Sequence, residues 1–110
     1  MARASITSGR DFRRVYRSGT RVREDGVTVW AAPNEAQVAR LGLSIRASVG
    51  TAVERNRLRR RVREVFRALE PTPGIDVVVQ ASPAATGKTF QELADTLKVA
   101  LTRAGVGIAR

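Results

Sequence analysis

Seven arginines fall between residues 55 and 67, in the run Arg55-Asn56-Arg57-Leu58-Arg59-Arg60-Arg61-Val62-Arg63-Glu64-Val65-Phe66-Arg67. Guanidinium groups are permanently charged, planar forks, and phosphate oxygens match them in both charge and geometry. Wound at ~100° per residue, Leu58, Val62, Val65, Phe66 and Leu69 share one arc of about a third of the helix circumference. Asn56, Arg59, Arg60, Arg63 and Arg67 gather on a neighbouring face, with Arg57 and Arg61 on the other flank. Arg55 projects near the edge of the apolar arc, either toward a sheet packed there or from a first turn not yet regular. Like charges at i,i+4 cost ~0.2–0.5 kcal/mol each, and only Glu54 and Glu64 lie within the segment to relieve them. A helix that keeps this repulsion while burying its opposite side is suited to an external polyanion. A merely solvated face is the alternative, but such faces usually mix lysine with glutamate.

Aromatic side chains offer a second chemistry. Phe12 and Tyr16 stand four residues apart, and Trp30 alternates out of phase with Val27, Val29 and Ala31, so it faces away from them. Unpaired bases stack on such rings for about 1–3 kcal/mol each, although rings so spaced are more often ordinary core. Catalytic groups are scarce. With no cysteine and no histidine, the chain lacks a thiolate nucleophile, the usual neutral-pH base and the commonest metal ligand. Thr86-Gly87-Lys88-Thr89 resembles part of a phosphate loop, but Ser82 stands where that motif needs its first glycine. No helix-turn-helix pattern suggests sequence-specific DNA binding.

The elements that must position these groups follow from periodicity and punctuation. Ser8 is placed to cap a first helix through Asp11, Phe12, Val15 and Tyr16, ended by Gly19. Val27, Val29 and Ala31 mark a strand, Pro33-Asn34-Glu35 a turn, and residues 38–45 a second extended run; a strand at residues 20–22 is weakly signalled. Thr51-x-x-Glu54 and Thr89-x-x-Glu92 have the capping-box form. The first opens the arginine helix, which runs to Leu69 and is stopped by Pro71-Thr72-Pro73-Gly74. The second opens a closing helix striped by Phe90, Leu93, Leu97, Ala100, Leu101 and Ala104. Between them residues 75–81 read as a buried strand and residues 82–88 as a loop. The order is helix, two or three strands, helix, strand, helix.

A chain of 110 residues with a net charge of +10 suits one basic domain spanning residues 1–110, with nucleic acid as its first candidate partner. No apolar run approaches the ~20 residues that cross a bilayer, and Met1-Ala2-Arg3-Ala4-Ser5-Ile6 lacks a secretory apolar block. A cytoplasmic location without membrane association is expected.

Three blocks in order resemble one family. Asp11-Phe12-Arg13-Arg14-Val15-Tyr16-Arg17-Ser18-Gly19, then Gly42-Leu43-Ser44-Ile45 with Gly50-Thr51-Ala52-Val53, then Arg55-Asn56-Arg57 with the helix that follows, are similar to the bacterial ribonuclease P protein. The likeness spans roughly residues 6–103. It implies an α/β (α+β) sandwich with one mixed sheet of about four strands and three helices, in the order α-β-β-β-α-β-α. It also implies a left-handed βαβ crossover like that of ribosomal protein S5 domain 2. The resemblance further implies that Arg46, Arg55, Asn56, Arg57, Arg59, Arg60, Arg63 and Arg67 contact a catalytic RNA. A cleft of Phe12, Tyr16 and Trp30, rimmed by Asn56, Arg59 and Arg63, would hold the 5′ leader of precursor tRNA. The partners would be ribonuclease P RNA and precursor tRNA, with no DNA. The chain would act as an endoribonuclease holoenzyme subunit, with no catalytic or metal-binding residue of its own and Mg2+ held mainly by the RNA. Two departures stand out: Ala47 and Ser48 occupy positions where the family commonly has paired lysines, and Ser5-Ile6 replaces an Arg-Leu pair. The leading alternative is a structural RNA binder, ribosomal or assembly type, without linked cleavage.

Overall fold

The computed structural model describes residues 5–109, so residues 1–4, read above for a targeting signal, and residue 110 lie outside the described chain. Helix α1 (Gly9–Ser18) is capped by the Ser8 hydroxyl, which accepts from the Asp11 amide. Strands β1 (Thr20–Glu24), β2 (Val27–Pro33) and β3 (Arg40–Ser44) follow, then helix α2 (Ala52–Leu69), strand β4 (Ile75–Ala81) and helix α3 (Phe90–Arg103). This is the expected order of three helices and four strands. The sheet runs β1-β2-β4-β3; β3 and β4 are parallel, joined by the α2 crossover, and the other neighbours are antiparallel. Ser5 adds a parallel bridge to Leu41 outside β3, and the Ile6 amide donates to the Leu41 carbonyl.

Several boundaries differ from the sequence expectation. The weak strand is a full hairpin arm: Asp25 and Gly26 both have positive φ, the geometry a two-residue primed turn requires. The run at residues 38–45 narrows to Arg40–Ser44, because Val38 belongs to the β2–β3 loop, where its carbonyl accepts from the Asn34 amide and the Gly74 backbone. Residues 82–88 contain a 3-10 turn over Pro83–Gly87. Phe90, expected in the apolar stripe, is 40% exposed. It is the first helical residue, and side chains lean toward the N-terminus of a helix, which carries the ring past the end of the core.

The sheet has two differently populated faces. On one, α2 contributes Leu58, Val62, Val65 and Phe66, and α3 contributes Leu93, Leu97, Ala100 and Leu101, against Val29, Val77 and Val79. On the other, α1 contributes little beyond Val15, which meets Ile6, Ala32 and Val78 with Phe12 and Trp30 alongside. Both capping boxes form as read.

Polar contacts make up for the thin packing under α1. Asp76 at the start of β4 is fully buried. It accepts from Arg14 on α1, from Arg40 Nε and Nη2 at 2.7 and 2.6 Å, and from Asn34 Nδ2 at 2.6 Å. Burial opposes its ionisation, but the bonds from Arg40 and Asn34 and the charges of Arg40 and Arg14 outweigh that, holding it below the usual carboxylate range. Because the folded value is depressed, the stabilisation is complete above the unfolded value of about 3.9 and fades as pH falls through the folded one. Asp76→Asn is therefore expected to lower unfolding free energy by about 3 kcal/mol near neutrality. In urea titrations at successive pH values, the gap from the parent protein should close as the medium becomes acidic.

Candidate nucleic-acid interface

The position of α2 follows from its two dissimilar sides. Its apolar arc is locked into the larger core, and Thr51 and Glu54 exchange bonds of 2.8 and 3.1 Å at its start. The backbone bond from Thr51 is the main reason Glu54 titrates below the usual glutamate value. The arginines then divide into two groups. Arg55, whose direction the sequence left open, is half-buried in a regular first turn; its Nη1 donates to the carbonyls of Gly50 at 2.8 Å and Ala47 at 3.2 Å. Arg61 donates to the Lys88 carbonyl at 3.1 Å. These two guanidiniums tie neighbouring loops to the helix.

The second group faces outward. Asn56, Arg57, Arg60, Arg63 and Arg67 are exposed and Arg59 is half-exposed. Among the described residues, no arginine of α2 enters an ion pair. Arg59 Nη1 donates to Asn56 Oδ1 at 3.1 Å, which leaves the Asn56 amide NH2 for another acceptor. Asn56, Arg59, Arg60, Arg63 and Arg67 are thus donors turned to solvent on the face where the helical winding gathers them, with Arg57 exposed on the other flank.

The three aromatic residues also come together. The rings of Tyr16 and Trp30 meet edge to face with centroids 4.8 Å apart, and Phe12 lies 6.2 Å from Tyr16. Gly42 makes room for this cluster, because a Cβ there would stand 2.9 Å from the Phe12 ring. Arg21 places its guanidinium 5.9 Å from the Trp30 ring centroid, within the range of a cation–π contact. Arg21 was not singled out from sequence. The signal was present in Asp25-Gly26, because a two-residue turn there sets Arg21 directly opposite Trp30.

The aromatic cluster lies on the α1 face and the apolar arc of α2 packs on the other. No hydrogen bond, ion pair or ring contact among the described residues joins Asn56, Arg59 or Arg63 to the aromatic rings. Arg46 belongs to neither group. It is exposed just before a 3-10 turn over Ala47–Val49 and lines an open pocket with Arg23 and Gln80. The phosphate-loop-like segment is otherwise engaged: Lys88 Nζ donates to Asp25 at 2.7 Å, and the Thr86 hydroxyl donates to the Pro83 carbonyl. Among the described residues, no group of three or more carboxylates suited to a metal ion occurs, and no helix is long and apolar enough to cross a membrane.

Comparison with known proteins converges on one family. The family model described as Ribonuclease P matches residues 1–105. The Ribonuclease P protein component of Roseiflexus sp. (strain RS-1) is 43% identical, with 86% of this chain and 90% of the relative covered. That of Clostridium kluyveri is 31% identical, with 92% and 94% covered. The fold is similar to the RNase P protein of Staphylococcus aureus at a TM-score of 0.86, with 29% identity and coverage of 94% and 96%. The RNase P protein of Thermotoga maritima gives 0.82, with 27% identity and coverage of 94% and 97%.

The two groups of arginines should separate in stability measurements. Arg55→Ala removes donors from two loop carbonyls and is expected to cost about 1 kcal/mol. Arg63→Ala loses no partner and relieves its i,i+4 repulsion with Arg59 and Arg67, so it should raise stability by a few tenths of a kcal/mol. Urea unfolding midpoints of both variants at low salt provide the check.

Proposed function

The chain belongs to the ribonuclease P protein family, and from that premise we propose that it grips both the catalytic RNA and the 5′ leader of precursor tRNA while the leader is removed. The observation that carries this reading is the outward side of α2: cations on a helix anchored by its apolar arc, none of them in a salt bridge among the described residues. Set against RNA, such a flank neutralises phosphates and releases their counterions, which favours association and makes it salt-dependent. Asn56, Arg57, Arg59, Arg60, Arg63 and Arg67 take this role. Arg46 contributes from the loop before α2, and Arg55 mainly by fixing that loop.

The leader is assigned to Phe12, Tyr16 and Trp30. Single-stranded RNA exposes base faces that stack on aromatic rings, and the 38% exposure of Tyr16 beside Trp30 leaves ring surface free for this. A protein that holds the leader binds precursor more tightly than leaderless product. No side chain of this chain acts on the scissile bond. Magnesium ions, held by the RNA and not by residues of this chain, would supply activation of the nucleophile and stabilisation of the leaving oxygen.

Reconstitution with ribonuclease P RNA at low magnesium tests the assignment. Arg59→Ala combined with Arg63→Ala is expected to weaken RNA binding and to shallow the plot of log K against log salt by about 0.7–0.9 per lost phosphate contact. Unchanged affinity and slope would exclude α2 from the interface. Trp30→Ala should cost about 1–3 kcal/mol of precursor binding, with the loss confined to leader-bearing substrate.

A further inference from the structure

Helix α1 repeats, on a second surface, the imbalance of charge seen on α2. Four of its ten residues are arginine. Arg14 turns inward, to the Asp76 carboxylate and to the Pro33 carbonyl at 3.0 Å. Arg10, Arg13 and Arg17 do not. All three are exposed, and none enters an ion pair among the described residues. Asp11, the only acid of the helix, is already engaged by Arg14 at 3.9 Å and by Arg40 at 3.7 Å. At ~100° per residue the three outward cations share an arc of about 60°. That arc lies nearly opposite Val15, the side chain that anchors α1 to the sheet.

The helix keeps this stripe against its own stability. Arg10 stands in the first turn, where the helix dipole disfavours a cation. Arg13 repels Arg10 three residues before it and Arg17 four residues after it. A short helix held by one buried valine and one carboxylate has little stability to spare for such a pattern. A polyanion outside the helix would turn the repulsion into attraction. Direction decides which polyanion. Phe12 and Tyr16 leave α1 toward Trp30, so a strand stacked there would have to climb over a helix body ~10–12 Å across to reach Arg10 and Arg17. The stripe holds neither a ring for stacking nor an amide for a base edge. It presents guanidinium groups over ~10 Å of helix axis, and these bind phosphates irrespective of sequence.

We infer that Arg10, Arg13 and Arg17 form a second docking surface for the catalytic RNA, one that grips its phosphate backbone from the outer side of α1. The inference rests on the proposed partnership with ribonuclease P RNA. Helices α1 and α2 pack on opposite faces of the sheet. Contacts from both would wedge the domain between two segments of one folded RNA, instead of hanging it from α2 alone. The orientation of the domain on the RNA is then fixed at two separated places, which a single basic helix cannot do.

The test measures binding of the full chain to ribonuclease P RNA without precursor tRNA, together with hydroxyl-radical protection of that RNA. Arg10→Gln, Arg13→Gln and Arg17→Gln combined keep good helix formers. This variant should bind about tenfold more weakly and shallow the plot of log K against log salt by about 2–3. Lysine at the same three positions keeps the charge and should restore most of the slope. The parent should protect two separate RNA segments, of which the glutamine variant loses one and Arg59→Ala with Arg63→Ala loses the other. If thermal melting shows the triple variant misfolded, Arg13→Gln alone decides, with a slope change of about 0.9. Unchanged affinity and slope, a single protected segment, or a loss seen only with leader-bearing precursor overturns the second surface. In each case binding that still depends on Arg59 and Arg63 leaves the partnership standing. A parent protein that does not bind the RNA removes the partnership, and this inference with it.

Discussion

One buried carboxylate holds the α1 face together. Asp76 lies near the start of the interior strand β4 in a chain of net charge +10, and it gathers Arg14 from α1, Arg40 from β3 and Asn34 from the β2–β3 loop. A ten-residue helix is marginal alone, and Val15 is its one fully sequestered side chain. The ionic contact therefore supplies what apolar packing does not, fixing the azimuth of α1 so that Phe12 and Tyr16 reach Trp30. Asp11 adds a weaker link, 3.7 Å from Arg40. The aromatic cluster depends on a charge that none of its own members carries.

The other arginines follow the same logic of placement. Some serve the fold: Arg14 and Arg40 meet Asp76, Arg55 and Arg61 meet loop carbonyls, and Arg103 bonds Glu24 at 2.6 Å. Others, on the outward side of α2, turn to solvent without an ion pair among the described residues, and these are the ones proposed to meet RNA. Net charge alone does not distinguish these groups. Arg55 and Arg57 are two residues apart in one motif and yet fall on opposite sides of the division, because only Arg55 lies within reach of the turn before the helix.

Much of this was legible in the residues. Local signals survived intact: both capping boxes formed, the apolar arc of α2 was buried as wound, and Trp30 faced away from its neighbours. Resemblance supplied the strand count and the family. Missed features arose where partners lie far apart in sequence. Asp76 reads as the second residue of an apolar strand, and nothing local announces that it gathers groups some forty and sixty positions upstream. Arg21 acquires meaning only through register, which the Asp25-Gly26 turn fixes. Phe90 matched the helical period but stands at a helix end, where period ceases to predict burial.

The short bridge from Ser5 to Leu41 has a consequence for colloidal behaviour. An open sheet presents unpaired backbone groups at both margins, and such margins recruit strands from other copies. Here the β3 margin is partly occupied by Ser5 and Ile6, with the Ile6 amide bonded to Leu41. The β1 margin carries Arg21, Arg23 and Glu24, charges that disfavour a matching strand. Edge-to-edge growth is opposed on both sides, which lets a strongly cationic domain crowd onto a polyanion without templating its own aggregation.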